Sequence, residues 1–292
     1  MSAVVVESWG VGGSVRDAGR RGRAWLGASR GGAVDLASLE LANRLVGNAP
    51  HGAAFESSGG LRIAARDRPV LVAMTGGVAD VSGDVALGWG VPEVLPSGAV
   101  LRIGRLHEGT RVYVSVRGGL VATARPDTFA IGPDPAGPAA SHPAVRRPGP
   151  DRILLWPGPR ADWFAPDALD LLVTSEWTVT PHGDRIGVRL AGPMLRRAIT
   201  RELPSEGLVE GAVQVPPDGQ PIVMLADHPV TGGYPVIAVV DPAHIGHLAQ
   251  TPPGRSVRFR PAVPNRSPTS GLAGEIVAPE PRSSGGGGGA RG

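Results

Sequence analysis

Residues 204–239 carry many side chains that could bind or act on a small polar molecule. They are carboxylates, amides and hydroxyls set between glycines and prolines, which build rigid turns. These donors and acceptors are Ser205, Glu206, Gln214, Asp218, Gln220, Asp227, His228, Thr231 and Tyr234. Their positions beside β-prone runs suit a ligand held by loops. The same composition is typical of an ordinary hairpin with solvated carboxylates, so both interpretations are open at this point.

Two apolar β-prone runs in this segment, 211–215 and 221–225, predict a hairpin. They are joined by Pro216-Pro217-Asp218-Gly219. Proline fixes φ and glycine supplies a positive φ, as a tight connection requires. We therefore expect the polar side chains of the segment to lie on and around one rigid hairpin.

A second concentration of polar groups lies in a segment rich in glycine and arginine, residues 10–35. Its candidate binding residues are Asp17, Arg20, Ser29 and Arg30. The two arginines could receive a carboxylate or phosphate through paired hydrogen bonds. Arginines in loops are also often solvated or salt-bridged. The glycines match neither a phosphate loop, which needs a lysine, nor a dinucleotide-binding turn.

Short strands and turns dominate the rest of the chain. Four separate strands are predicted at 69–77, 78–87, 99–104 and 110–116, broken by glycine, aspartate and serine, as in a barrel or sandwich. The clearest helix begins after Asp35, a good N-cap, and ends before Gly47, and shorter helices are expected at 166–173 and 242–250. The sequence thus predicts a mainly β protein with a few short helices and two β-barrel-like domains.

A change in composition divides the chain. Residues 122–150 are rich in proline and poor in periodic apolar residues, which predicts a linker. We therefore expect an N-terminal β-rich domain at 1–121 and a C-terminal β domain at 151–262. Residues 263–292 are mostly proline, serine and glycine, a composition typical of a disordered tail.

The composition excludes several classes of chemistry. The chain has no cysteine, which excludes disulfides, thiolate nucleophiles and cysteine-ligated zinc. All 29 basic residues are arginine, so a Schiff-base lysine and a biotin attached to this chain are also excluded. The net charge of +3 comes from interspersed charges, unlike a nucleic-acid site. No run is long enough to span a membrane, and we expect a cytoplasmic protein.

Two further groups of residues look incomplete as sites. His244 and His247 lie three apart on a predicted helix, a spacing that can chelate a metal, but no third ligand is near them in the sequence. No metal site is therefore predicted. Ser205, Asp227 and His228 have the residue types of a hydrolytic triad, but an adjacent Asp and His are poorly placed to contact each other.

Four stretches of the chain share a pattern with a known family. They are VRDAGRRGRAWLGASRGGAVD (15–35), LANRLVGNAPHGAAFESSGG (41–60), HGDRIGVRLAGP (182–193) and SEGLVEGAVQVPPDGQPIVMLADHPVTGGYPVIA (205–238). The chain resembles the family called allophanate hydrolase subunit 2 or biotin-dependent carboxyltransferase, which includes the C component of 5-oxoprolinase. The resemblance implies a mainly β, cyclophilin-like architecture. It also implies a partner of the subunit 1 family, either separate or fused.

Two chemistries follow from this resemblance. One is ATP-dependent opening of the 5-oxoproline lactam to glutamate, in a hetero-oligomer with the subunit 1 partner and a third subunit. The other is transfer of a carboxyl group from carboxybiotin to urea or a similar amide. ATP would be used by the complex, and biotin, if used, would arrive on a separate carrier. The family also offers a non-catalytic alternative, a regulatory protein that binds its subunit 1 homologue.

The chain departs from the family pattern after Gly118-Gly119. Family members usually carry a Leu-Gly-Ser-Arg-Ser element there, whereas this chain runs from Leu120 almost directly to Asp127-Thr128. If that element lines the active site, its loss would impair the activity or alter the substrate.

The resemblance and the residue types together predict a hydrolase subunit that acts on a cyclic amide. Glu206 and Asp218 are the expected general bases or water-positioning carboxylates. Gln214 and the backbone beside Gly232-Gly233 would polarise the amide carbonyl. Arg20 and Arg30 would hold an anionic group of the substrate. The other candidate substrate-binding residues are Asp17, Ser29, Arg185, Thr231 and Tyr234.

Overall fold

Two β-sheets make up most of the molecule. The structure is a computed structural model that describes residues 2–146, 149–150 and 152–262. Strands in the first half of the chain form a nine-stranded sheet, and later strands form a closed seven-stranded barrel with a separate two-stranded ribbon. The prediction of a mainly β protein with short helices is therefore confirmed.

The first sheet runs from the N-terminus to residue 131. Its strands are β1 (Ala3–Ser8), β2 (Ser14–Arg16), β3 (Ala54–Ser57), β4 (Arg62–Arg66), β5 (Val70–Gly83), β6 (Glu93–Leu95), β7 (Val100–Val116), β8 (Leu120–Ala122) and β9 (Thr128–Ile131). Their order is β2-β3-β7-β4-β1-β9-β8, with β5 paired to β6 and β7. Apolar side chains that alternate along these strands face a common core.

Strands β5 and β7 are longer than the sequence predicts. They pair from Val72 opposite Val116 to Gly83 opposite Leu101. The register shifts at three places between Gly76 and Val81, where bulges take up extra residues. The expectation of four shorter strands was wrong, because glycines that look like strand ends in the sequence are bulge positions here.

The barrel is closed by its first and last strands. In chain order its strands are β10 (Ile153–Pro157), β11 (Glu176–Val179), β12 (Gly187–Ala191), β14 (Ala212–Gln214), β15 (Ile222–Met224), β17 (Val236–Val240) and β18 (Ser256–Pro261). The ribbon consists of β13 (Glu206–Gly207) and β16 (Thr231–Gly232). Strands β10 and β18 pair in parallel, with Ile153 opposite Phe259, whereas the other barrel neighbours are antiparallel.

Large apolar side chains fill the barrel. Trp177, Phe259 and Leu155 are among its fully buried residues. The indole Nε1 of Trp177 donates to the carbonyl oxygen of Leu172 at 2.9 Å, so its polar atom is satisfied. Each such side chain contributes about 1.5–3 kcal/mol by its removal from water, which stabilises the framework that carries the loops.

Three α-helices pack beside the sheets in the described part of the chain: α1 (Leu36–Leu45), α2 (Ala168–Thr174) and α3 (Pro242–Ala249). The predicted N-cap is confirmed, since Asp35 Oδ1 accepts from Ser38 N at 3.1 Å. Gly47 follows the helix with a φ of 79°. Asp241 caps α3 in the same way by accepting from Ala243 N.

The predicted hairpin between 211 and 225 is also confirmed. Strands β14 and β15 are antiparallel, with Val213 opposite Val223. The turn closes when Gly219 N donates to Pro216 O at 3.0 Å, and Gly219 has a φ of 74°. Proline and glycine thus have the roles that their conformational preferences predict.

The predicted linker is built into the fold. Strand β9 lies within 122–150 and pairs with β1 and β8. Further along, Ala140 N donates to Leu45 O and Ala144 N donates to Gly90 O. Residues up to 262 group into one unit by their contacts, and the predicted tail, 263–292, lies outside the described residues. Within the described ranges, no helix combines the length and apolar character that crossing a bilayer requires.

Candidate functional site

The ribbon brings two of the predicted site segments together. Glu206 lies opposite Gly232 and Gly207 lies opposite Thr231. A Cβ at Gly232 would lie 2.7 Å from Gln214 Nε2, so a larger residue here would displace the amide group of Gln214. The structure therefore places the segments around residues 206 and 232 against the buried amide of Gln214.

Glu206 is paired with an arginine that the sequence analysis did not identify. Arg160 Nε donates to Glu206 Oε2 at 3.0 Å, and Arg160 Nη2 donates to Glu206 Oε1. Both side chains are about one-third exposed. The hydrogen bonds and charge of Arg160 lower the pKa of Glu206 below its usual range. Glu206 is therefore an anion at neutral pH, suited to accept hydrogen bonds and to orient a ligand or water.

Gln214 and Tyr234 continue the same surface. Gln214 Nε2 donates to the carbonyl oxygen of Tyr234 at 2.9 Å. The ring of Tyr234 is 45% exposed, and the guanidinium carbon of Arg197 lies 5.9 Å from its centroid. Arg197 Nη2 also donates to the carbonyl oxygen of Val215. We call Arg160, Arg197, Glu206, Gln214 and Tyr234 the rim cluster, because they surround one end of the barrel.

Strand pairing explains why these groups meet at one end. Strand β14 ends at Gln214, β17 begins at Val236 opposite it, and β10 runs towards Arg160 at the same end. Arg160 N donates to Val236 O at 3.1 Å, which fixes the loop after β10. The rim cluster combines an anionic acceptor, an amide and two guanidinium groups. Such a set can bind a small molecule that carries both an amide and a negative charge.

Asp218 stabilises its own turn in the structure and does not lie in the rim cluster. Its carboxylate Oδ1 accepts from Gln220 N at 3.0 Å, within the exposed turn of the hairpin. This is the contact of an aspartate that stabilises its own turn. A role as general base is therefore not supported by the contacts of Asp218, in contrast to the placement of Glu206.

Arg30 is committed to internal contacts. Its guanidinium donates to both carboxylate oxygens of Glu210, at 2.6 and 2.7 Å. It also donates to the carbonyl oxygens of Ala18 and Ala33, at 3.0 and 2.9 Å. The prediction that Arg30 holds a substrate anion is corrected here. All three nitrogens of its guanidinium group, which a carboxylate would need as donors, already donate within the chain.

Arg185 is likewise a structural residue. It donates to Asp227 at 2.8 and 3.2 Å, to Glu56 and to the carbonyl oxygen of Gly32. Burial would lower the pKa of Arg185, but its hydrogen bonds and ion pairs with Asp227 and Glu56 outweigh that effect and raise it. Glu56 is 1% exposed and lies on β3, so this network ties the first sheet to the barrel.

The predicted residues Asp17, Arg20 and Ser29 belong to a loop, residues 17–32. The two ends of this loop are hydrogen-bonded to each other. Asp17 Oδ1 accepts from Gly19 N at 2.8 Å, and Arg20 N donates to Arg30 O at 2.7 Å. Asp17 and Arg20 are exposed, and Ser29 is half-buried. These side chains are on the loop and not in the rim cluster.

The histidine pair is occupied by structural contacts. His244 Nδ1 accepts from Leu154 N at 2.9 Å, and its ring lies edge-on to His247. His228 is buried, with its Nδ1 2.7 Å from Pro229 O. In the described part of the chain, no three His, Asp or Glu side chains are grouped to hold a metal ion.

A cleft of about 1140 Å³ lies between α1, α3 and the segment near residue 145. Of the predicted site residues, Arg30 alone is among the described residues that line this cleft. Its other charged groups include paired residues such as Glu40, Glu108 and Arg146. Apart from Arg30, the predicted site residues thus lie outside this cleft.

Arg160 and Arg197 were missed because no local signal marks them. Arg160 is 46 residues from its partner Glu206, and Arg197 is 37 residues from Tyr234 (234 − 197). In sequence, both are ordinary arginines of loops that have no functional motif. They become candidates when the barrel closes and brings these loops together.

Comparison with known proteins confirms the family resemblance that the sequence predicts. The profile of the carboxyltransferase domain, subdomain A and B, matches residues 26–130 and 122–261. The chain is 32% identical to the C component of 5-oxoprolinase from Escherichia coli strain K12 over 271 residues, which are 84% of this chain and 87% of that protein.

Two solved structures share the architecture. The crystal structure of TTHA0988 superposes with a TM-score of 0.79 at 32% identity, over 89% of this chain and 56% of that one. The Kluyveromyces lactis urea amidolyase superposes with a TM-score of 0.80 at 25% identity, over 89% of this chain and 19% of that one. In both cases the match is part of a longer chain. The profile match, the similarity to the Escherichia coli protein and the shared fold show that this chain belongs to the carboxyltransferase domain family, subdomains A and B.

Proposed function

We propose that this chain serves as the C component of an ATP-dependent complex that opens 5-oxoproline to glutamate. The supporting observation is the extent of the match to the Escherichia coli 5-oxoprolinase component, of which 87% is covered. The match to a urea amidolyase from Lachancea kluyveri covers 16% of a much longer chain. The wider coverage of the 5-oxoprolinase component favours its activity over that of the urea amidolyase.

The rim cluster supplies groups that suit a lactam. Gln214 can donate to the lactam carbonyl oxygen, where negative charge develops when the amide is attacked. Glu206 can accept from the lactam N–H or hold the attacking water, because its pairing with Arg160 keeps it ionised. Opening the ring adds water across the C–N bond, which gives the carboxylate and the amine of glutamate.

The contacts of this chain favour ATP binding on another subunit. The chain has no lysine, which a phosphate loop requires. In the described part of the chain, each α-helix follows an aspartate, at positions 35, 167 and 241, and a carboxylate at a helix N-terminus disfavours phosphate. We therefore assign ATP binding to another subunit. Because biotin is attached through a lysine, we propose that biotin, if the complex uses it, arrives on a separate carrier.

The loop 17–32 is the surface that best fits a subunit 1 partner. Its base is fixed, since a Cβ at Gly32 would lie 2.4 Å from Gly19 N, and Gly31 N donates to Ala226 O. At the tip, Trp25 is 81% exposed and Leu26 is 58% exposed. The loop contains four arginines and one acidic residue, Asp17, whose carboxylate is bound within its own turn by Gly19 N. Tryptophan and arginine are enriched at binding hot spots. The loop therefore suits a partner surface that has an apolar pocket bordered by acidic residues.

Replacement of Trp25 tests this assignment. W25A is expected to weaken capture of the subunit 1 partner by about tenfold or more, since tryptophans that become buried at an interface are frequent hot spots. Its melting temperature should equal that of the parent chain, because Trp25 has little to pack against. V121A, on a half-exposed residue of β8, is the matched control. Equal capture by W25A and V121A would remove the loop from the interface.

The activity itself is tested by reconstitution with the subunit 1 partner and the third subunit. Glutamate formed from 5-oxoproline is measured with and without ATP. We expect ATP-dependent product, and a rate at least about tenfold lower for E206Q, since orientation of the substrate and water contributes factors of this size or larger. E176Q is the control, because Glu176 is also paired with an arginine, Arg258, on the barrel surface. A complex that assembles but forms no glutamate would contradict the proposal.

A second function is favoured by one observation, the close superposition on a urea amidolyase. It is carboxyl transfer from a biotin carrier to urea or a related amide. Carboxylated product that forms from a carboxybiotin donor, with no ATP-dependent glutamate, would support this alternative.

A further inference from the structure

Arg197 differs from the other arginines of the candidate site in how its charge is compensated. Arg160, Arg30 and Arg185 each form an ion pair with a carboxylate. In the described part of the chain, no carboxylate lies within ion-pair distance of Arg197. Asp218 acts on Arg197 only as a more distant charge. Arg197 is therefore a partly buried cation that the described residues leave without a close counter-ion.

One nitrogen of Arg197 also lacks a hydrogen bond. Its Nε is buried and has no partner among the described residues, whereas Nη2 donates to the carbonyl oxygen of Val215. Burial lowers the pKa of Arg197, which reflects the cost of holding this charge away from water. An unmet buried donor is unfavourable, and a hydrogen bond to a charged acceptor would remove the cost.

The guanidinium group is nevertheless held in place. The bond to Val215 O fixes one end, and the ring of Tyr234 lies beside it at 5.9 Å. Tyr234 is 45% exposed, so the pair reaches solvent at the rim of the barrel. Its backbone carbonyl accepts from Gln214 Nε2, which connects the arginine to the amide group of the rim cluster. A ligand that contacts Gln214 would thus have Arg197 nearby.

We propose that Arg197, stacked on Tyr234, forms a carboxylate-binding subsite at the rim of the barrel. A small carboxylate beside the guanidinium group would supply the missing negative charge. A guanidinium group is suited to this ligand because its donors lie in one plane and match the two carboxylate oxygens. Identification of the ligand as the carboxylate of 5-oxoproline rests on the proposed function, whereas the subsite itself does not.

The subsite is tested by adding ligands to the purified chain and measuring their binding by NMR. The ligands are 5-oxoproline, 2-pyrrolidinone and acetate. The second is the same lactam without the carboxylate, and the third is a carboxylate without the lactam. We expect R197Q to raise the Kd for both carboxylates by about tenfold or more, the usual scale of one charge-assisted hydrogen bond. Binding of 2-pyrrolidinone should not change.

Three variants control for folding and for general charge. R201Q removes another arginine of the same segment, which lies 5.4 Å from the ring of Trp163 and is exposed. It should bind within about twofold of the parent chain, as expected for a distant, screened charge. R197K keeps the charge and should lie between the parent chain and R197Q. Y234F keeps the ring and should bind normally.

The outcomes separate the subsite from the proposed function. If R197Q melts like the parent chain and binds both carboxylates equally well, the subsite is overturned. It is also overturned if the parent chain binds neither carboxylate, or if Y234F loses binding as strongly as R197Q. If R197Q weakens acetate binding but 5-oxoproline binds no better than acetate, the subsite stands and the proposed substrate loses its support.

Discussion

A single contact determines what Glu206 can do. As a lone carboxylate it would be a conventional candidate base, but Arg160 bonds both of its oxygens. The pKa of Glu206 is lowered first by these hydrogen bonds and then by the charge of Arg160. A lowered pKa makes a weaker base and a more persistent anion. We therefore assign Glu206 to orientation of substrate or water in the proposed reaction.

Removal of Arg160 should raise the pKa of Glu206. In the parent chain Glu206 is charged and paired with Arg160 at every pH above the usual pKa of glutamate. The charge and the ion pair are lost only as the pH falls through the lowered pKa. In R160Q this loss should move to higher pH, towards the usual value for glutamate. NMR titration of the Glu206 carboxyl carbon measures the midpoint. Glu176, paired with Arg258, should titrate alike in both chains, and an unchanged midpoint for Glu206 would contradict the role of Arg160.

At the scale of residues, the sequence predicts part of the rim cluster. Glu206, Gln214 and Tyr234 were predicted because they are polar residues near strand ends within one segment. Arg160 and Arg197 come from other loops, and their convergence depends on barrel closure, which no local pattern encodes. Arg30 and Arg185 were expected to bind substrate, but a sequence does not show which carboxylate will pair with which arginine.

At the scale of elements, the ribbon depends on one glycine. A Cβ at Gly232 would lie 2.7 Å from both Gln214 Nε2 and Leu208 Cδ1. G232A should therefore displace the ends of these two buried side chains and cost about 1–3 kcal/mol, as overpacking usually does. It should also lower the activity of the complex, because the amide group of Gln214 moves.

Gly207 provides a control for this variant within the same ribbon. A Cβ there would meet nothing within 4 Å. G207A should thus unfold at the same urea concentration as the parent chain and keep its activity. If G232A and G207A behave alike, contact between the ribbon and Gln214 does not position the site.

Elements with strong local signals were predicted well. The cap of α1 and the hairpin of β14 and β15 follow from Asp35, Gly47 and the Pro-Pro-Asp-Gly turn. Strands β5 and β7 were divided wrongly, because a glycine in a bulge and a glycine in a turn look alike in sequence. The proline-rich composition of residues 122–150 predicts a linker, whereas one part of this segment pairs as β9.

At the scale of the whole molecule, buried charges join the sheet to the barrel. Arg185 connects Glu56 of β3 to Asp227, and Gln250 Nε2 donates to Asp35 Oδ2 at 3.0 Å. E56Q removes one of the two carboxylates that pair with the buried Arg185, and Asp227 remains as the other. The loss of this pair should destabilise the protein by about 3 kcal/mol. Urea unfolding measures this loss. E176Q, at an exposed pair, should cost less than about 1 kcal/mol.

The same variant shows whether the two sheets unfold together. Hydrogen exchange in E56Q should accelerate in the core strands of both the first sheet and the barrel, because the network belongs to both. Faster exchange in the first sheet alone would mean that the sheets unfold independently and that the charged network does not couple them.

Closure of the barrel has a consequence for the order of events during synthesis. The first sheet is complete in sequence at residue 131, since β1 pairs with β9. The barrel needs β18, the last described strand, because β10 has it as a parallel neighbour. The ribosome must therefore release more than a hundred residues, from 153 to 261 (261 − 153 = 108), before β10 meets its partner. Until then the apolar inner faces of the barrel strands are uncovered, which makes the nascent second half a natural client for chaperones.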